Sequence, residues 1–195
     1  GNKATDTVNV TLADVTAPVI TKFPATQTVQ LDGNCQATVP DLISNPQLFA
    51  ASDNCGVTGK QQQPAAGTVI SGSTVVRLGV ADAAGNTATK DVTVNVVDNT
   101  APTIQCPPAF SLERNASCAA TVPDLTQVAT AQDNCAGVKV SQLPAAGTTI
   151  NADTLVTLTA TDKASKTAQC TVQITLTDTT PPVINPCPTV PKLTR

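Results

Sequence analysis

The residues of this chain whose types and spacing can do chemistry are its seven cysteines and a set of recurring aspartates. Thiols at such spacings bind zinc or pair as disulfides. Structural zinc sites favour CxxC clusters with four convergent ligands; with no CxxC and no histidine in the chain, disulfides are the reading. General acid–base or nucleophilic catalysis at neutral pH calls for His, a positioned Lys or paired carboxylates in a cleft. Ser and Thr abound without a base beside them, and Glu113 is the only glutamate. A Lys–Asn isopeptide bond would need an inward Lys beside a buried carboxylate, and no Lys occupies a repeated inward position. No catalytic, cofactor-binding or metal residue is therefore assigned, and the chain is not expected to be an enzyme.

These residues sit in a repeat, which is sought first because it governs the fold. Asp14-Val15-Thr16-Ala17-Pro18 returns as Asp98-Asn99-Thr100-Ala101-Pro102 and as Asp178-Thr179-Thr180-Pro181-Pro182, 84 and then 80 residues on. Ala37-Thr38-Val39-Pro40-Asp41-Leu42 returns from Ala120 to Leu125, Asp53-Asn54-Cys55 as Asp133-Asn134-Cys135, and Pro64-Ala65-Ala66-Gly67 as Pro144 to Gly147. The expected organisation is residues 1–14 as the last strand of a preceding repeat, 15–98 as repeat 1, 99–178 as repeat 2 and 179–195 as the first strand of a following one. The opening Gly1-Asn2-Lys3-Ala4-Thr5 does not read as a signal peptide, and the expectation is a piece of a longer protein.

The elements that carry the repeat are strands. Val76/Leu78/Val80 and Val156/Leu158/Ala160 share one parity, as do Val8/Val10/Leu12, Val92/Val94/Val96 and Val172/Ile174/Leu176; each set should face a core, with Arg77, Gly79, Thr157 and Thr159 outward. Asp82-Ala83-Ala84-Gly85-Asn86 is a hairpin connection with Gly for positive φ. Threonine is about one residue in six, and β-branched residues suit a pleated surface. The fold class is all-β: tandem immunoglobulin- or fibronectin-III-like β-sandwich repeats stacked end to end.

The repeat also orders the cysteines. Cys35 and Cys55 correspond to Cys118 and Cys135, while Cys106 and Cys170 are added together in repeat 2, opposite Phe23 and Lys90. The expected bonds are Cys35–Cys55, Cys118–Cys135 and Cys106–Cys170, with Cys187 unpaired. In the chain-entropy view, closing loops of ~20 and ~65 residues stabilises by about 3 and 4 kcal/mol. Disulfides place the chain outside the cytosol, extracellular or at the cell surface. A net charge of −3 with scattered cations offers no basic stripe, so no nucleic-acid partner is expected. No apolar run approaches the ~20 residues of a membrane-spanning helix, so no membrane insertion is expected either.

Ile104-Gln105-Cys106-Pro107, Cys118-Ala119-Ala120-Thr121-Val122, Asp133-Asn134-Cys135, Pro144 to Gly147 and Cys170 stand in an order that resembles the hyalin repeat (HYR) domain over essentially the whole chain. Repeat 1 departs from it in lacking the first–last strand cysteines, and repeat 2 in having Ala164-Ser165-Lys166 where repeat 1 has Ala84-Gly85-Asn86. The aromatic residue often found after the Ala-x-Val segment is absent too. The resemblance implies an immunoglobulin-like sandwich with an extracellular adhesion role. Near-identical tandem units resemble those of large bacterial cell-surface and gliding adhesins exported by type 9 secretion. Structural spacer or stalk repeats of an adhesin or filament, serving cell adhesion or surface motility, are the expected function. A non-catalytic accessory module of a secreted enzyme or receptor is the alternative. Partners would be neighbouring repeats of the same chain, with a surface or glycan ligand held by other domains.

Asp14, Asp98 and Asp178 at the repeat junctions admit two readings. One is calcium, with Asp98, Asn99, Thr100 and a neighbouring loop supplying oxygens; the other is an Asx turn before proline. Asp53, Asp82, Asp133 and Asp162 read as turn formers. Asp6-Thr7-Val8, Asp153-Thr154-Leu155 and Asp178-Thr179-Thr180 fit a bacterial O-glycosylation pattern, and Asn9-Val10-Thr11 and Asn115-Ala116-Ser117 are N-glycosylation sequons.

Overall fold

The structure, a computed structural model, describes residues 1–183. Two compact units divide the chain, Gly1–Thr100 and Ala101–Arg195, and among the described residues every regular element is a strand. The first unit holds β1 (Val19–Lys22), β2 (Gln27–Gln30), β3 (Ala37–Thr38), β4 (Ala50–Ser52), β5 (Val57–Gln63), β6 (Val69–Ile70), β7 (Thr74–Asp82) and β8 (Thr87–Val97). Its larger sheet has the order β2-β8-β7-β5, and the facing layer is made of the pairs β1-β4 and β3-β6. The second unit repeats this with β9 (Thr103–Gln105), β10 (Phe110–Glu113), β11 (Ala120–Thr121), β12 (Thr130–Gln132), β13 (Lys139–Leu143), β14 (Thr149–Ile150), β15 (Thr154–Thr161) and β16 (Thr167–Thr177). Its sheet order is β10-β16-β15-β13, faced by β9-β12 and β11-β14.

Alternation explains the layers. Val76, Leu78, Val80, Val92 and Val94 point inward from β7 and β8 and meet Val39, Leu42, Phe49 and Ile70 across the sandwich. Val156, Leu158, Val172 and Ile174 do the same in the second unit against Val122, Leu125 and Ile150. Fully burying such a side chain is worth roughly 1.5–3 kcal/mol, so the inward parity holds each sheet to its partner layer. On the outer parity Arg77 is exposed and pairs with Asp91 at 2.9 Å. Gly79 departs from the expectation of an open outward position: it is buried, because the Gln61 side chain lies over it.

Residues 1–14 also depart from expectation. They form no strand, and Val8, Val10 and Leu12 are 84%, 84% and 100% exposed. A strand's inward parity is buried only when its sheet neighbours are present, and among the described residues no strand pairs with this segment.

Two backbone positions place the later chemistry. Cys35 and Cys118, equivalent in the repeat, sit at φ 58° and 56°, in the left-handed region where Gly and Asn are the usual occupants. Gln62 and Gln142 are tied across each sandwich. Gln62 Oε1 accepts from Leu42 N at 2.9 Å and its amide donates to Pro40 O at 2.9 Å; Gln142 accepts from Leu125 N at 2.7 Å and donates to Pro123 O at 3.0 Å and Pro144 O at 3.1 Å. The Gln63–Pro64 and Leu143–Pro144 peptides that follow are both cis.

Candidate functional site

The chemistry gathers at the two poles of each sandwich, and the registers show which residues share a pole. In the first unit β2 runs parallel to β8 with Gln30 beside Val97, and Leu31 N continues the ladder to Val97 O at 2.9 Å. The Asp32–Gln36 turn therefore lies past the end of β8, at the downstream pole. Asp32 Oδ1 shapes it by accepting from Asn34 N at 2.8 Å and Gln36 N at 3.0 Å, which leaves Cys35 in its left-handed position. The second unit builds the same turn with Asn115, whose Oδ1 accepts from Ser117 N at 2.9 Å and Ala119 N at 3.1 Å. Arg114 Nη1 donates to Cys118 O at 2.8 Å.

The upstream pole is built by the β7–β8 hairpin. Asp82, 5% exposed, accepts from Asn86 N at 2.9 Å and from the Asn86 amide at 2.8 Å. The same amide lies 3.2 Å from the carbonyls of Asp14 and Thr16, fixing the incoming chain to the hairpin. Asp53 Oδ2 accepts from Cys55 N at 2.8 Å, and the Asn54 amide reaches Asp14 Oδ1 at 3.3 Å. Carboxylate oxygens of Asp14, Asp53 and Asp82 thus lie within 4.8 Å of one another. The Asp14 carboxyl is held below its ordinary value, chiefly by the Thr16 amide. The Cys55 thiol is pushed up, first by its hydrogen bond to Asp14 and that group's charge, then by desolvation and the charges of Asp53 and Asp82.

This acidic cluster could hold a hard cation, which takes six to eight oxygens. Its oxygens are nonetheless largely committed to turns. Asp14, Asp98 and Asp178 each accept, through Oδ1, the amide two residues on at 3.0 Å, from Thr16, Thr100 and Thr180. That is the Asx turn before proline.

The pole assignment overturns two expected disulfides. Cys55 and Cys118 carry free, exposed thiols, so neither Cys35–Cys55 nor Cys118–Cys135 is formed, whereas Cys35 and Cys135 are disulfide-bonded. The reason is distance. Cys35 lies past the end of β8 and Cys55 beside its start; over the 11 residues of β8, at about 3.3 Å each, the poles are roughly 33 Å apart. A disulfide needs Cα atoms within about 7 Å. In the second unit Cys118 lies past Thr177, while Cys135 follows β12, whose Gln132 pairs with Thr103 at the opposite pole. Spacing of ~20 residues in sequence suggested a short loop, but the intervening chain crosses the full length of the sandwich.

Cys106 and Cys170 are joined within the second unit, with Cα atoms 5.9 Å apart. In the first unit Lys90 Nζ lies 5.6 Å from the Phe23 ring centre at the matching place. A register shift between Ile20 and Lys22 accommodates the one residue by which repeat 1 is longer there. Cys187 lies outside the described residues. The Gln62 and Gln142 ties were not anticipated; the signal available was a Gln two residues before Pro64 and again before Pro144.

Fold and poles together define a class, the disulfide-bearing tandem β-sandwich. The chain is 34% identical to Hyalin of Lytechinus variegatus over 198 residues, 95% of this chain and 36% of that protein. That similarity supports a hyalin-repeat-like domain, and the chain spans about a third of its curated relative. No protein-family profile matches. Among solved structures it is similar to extracellular cadherin domains 1–4 of Protocadherin Gamma B7 (15% identity, 83% of this chain and 51% of that one, TM-score 0.39). A titin segment of three immunoglobulin domains is also similar (11%, 82% and 65%, TM-score 0.43). Among the described residues no helix is long and apolar enough to cross a membrane.

Proposed function

We propose that this chain supplies spacer repeats of an extracellular adhesin or cell-surface filament, where it sets distance and bears load rather than performing catalysis. The observation that carries this is the opposite placement of the two poles. Each sandwich takes the chain in beside Asn86 or Lys166 and releases it past Val97 or Thr177, so every repeat adds its full length to the path. At about 3.3 Å per residue along β8 or β16, plus the junction, the advance is roughly 35–45 Å per repeat. Likeness to Hyalin over 95% of the chain agrees with an extracellular, adhesion-type role. Cell adhesion or surface motility, as in the bacterial gliding adhesins, is the use such a filament would serve.

Electron microscopy of the full-length protein tests this. The expected image is a thin rod whose length grows by about 35–45 Å for each added repeat. Compact particles whose size does not track repeat number would sink the spacer reading and favour an accessory module.

A further inference from the structure

We propose that Cys55 and Cys118 are halves of repeat-to-repeat disulfides in the longer protein. Cys118 would bond the upstream-pole cysteine of a repeat that follows, and Cys55 the downstream-pole cysteine of a repeat that precedes. Each thiol is exposed, and its repeat partner lies at the opposite pole, out of reach. The same two repeat positions do form disulfides in this structure: Cys35, equivalent to Cys118, and Cys135, equivalent to Cys55, are both bonded. Both types of pole cysteine are thus bonding positions. The downstream turn also places Cys at φ 58° and 56°, where Gly or Asn would fit with less strain; a turn alone does not call for cysteine there.

The chemistry is an ordinary two-electron oxidation by a disulfide-bearing oxidant of the extracellular or secretory compartment. One cysteine, as thiolate, attacks the oxidant's disulfide and forms a mixed disulfide, releasing one oxidant thiol. The second cysteine then displaces the other oxidant thiol. The new S–S bond has given up two protons and two electrons, and the oxidant leaves as a dithiol.

The inference rests on the tandem-spacer reading, because it needs a neighbour on each side, and the test separates the two. The full-length protein is alkylated without reduction, digested and mapped. The expected products join the Cys118 peptide to the Asp-Asn-Cys turn of the following repeat and the Cys55 peptide to a downstream-pole cysteine of the preceding one. The 195-residue chain alone should alkylate at both positions. In the full-length protein Cys118→Ser should expose one new alkylatable thiol, in the following repeat. Linked Cys35–Cys55 or Cys118–Cys135 peptides, or Cys55 and Cys118 alkylated in the full-length protein, would overturn the proposal. A rod in the microscope with these thiols still free rejects the disulfides and leaves the spacer standing.

Discussion

The two repeats share one strand order yet stabilise it differently. At the first-strand/last-strand contact, repeat 2 has the Cys106–Cys170 bond where repeat 1 has Phe23 and Lys90 in cation–π contact. At the end of the connection to the fourth strand, repeat 1 buries Phe49, 1% exposed, in its core, where repeat 2 places the smaller Ala129 against its own. Phe49 enters because Asn45 O receives both Leu48 N and Phe49 N at 2.9 Å, a compact turn that repeat 2 makes three residues shorter from Leu125 O. Repeat 1 relies on apolar volume and repeat 2 on a covalent constraint. The lesson is that a sandwich this poor in aromatics reaches stability by alternative routes within the same strand order.

The largest effect expected from breaking this contrast is at the bond itself. Cys106→Ala with Cys170→Ala should destabilise repeat 2 by about 2–4 kcal/mol, since its loop spans a sequence separation of 64. Lys90→Ala in repeat 1 should cost no more than about 1 kcal/mol, the worth of an exposed cation–π contact. Denaturant unfolding resolved by repeat checks both, and equal losses would remove the distinction. Phe23→Cys with Lys90→Cys should convert repeat 1 to the other route, with a gain in melting temperature that a reductant abolishes.

An intermediate effect is expected where the repeats agree. Gln62→Ala and Gln142→Ala each strand a buried backbone amide, Leu42 N or Leu125 N. Each should cost about 1–3 kcal/mol, by similar amounts in the two units. A loss in one repeat only would mean the tie is not a common feature of the sandwich.

The smallest effect concerns the upstream hairpin. Asn86 satisfies both oxygens of Asp82. Lys166 at the same position gives only its amide to Asp162, at 2.7 Å, and Asp162 Oδ2 is buried without a hydrogen-bonding partner. Lys166→Asn should therefore stabilise repeat 2 by about 1 kcal/mol, and Asn86→Lys should destabilise repeat 1 by a similar amount. Thermal melts of both variants give the signs, and opposite signs would show that the lysine side chain contributes more than the lost hydrogen bond.

Read as a string of residues, this chain determines the long strands of its two sandwiches and their inward parity. Those depend on local alternation and on copies of the same motif, as Val76/Leu78/Val80 and Val156/Leu158/Ala160 show. The Asx turns at Asp14, Asp98 and Asp178 were legible for the same reason, being contacts between residues two apart. Only the tertiary structure decided what meets across the sandwich. It put Cys35 and Cys55 at opposite poles despite their closeness in sequence, and it laid Gln61 over Gly79. It also left Val8, Val10 and Leu12 exposed although their pattern matches buried strands. Pairing and burial depend on which strands lie alongside and in which direction they run, and a periodicity of two carries no record of that direction.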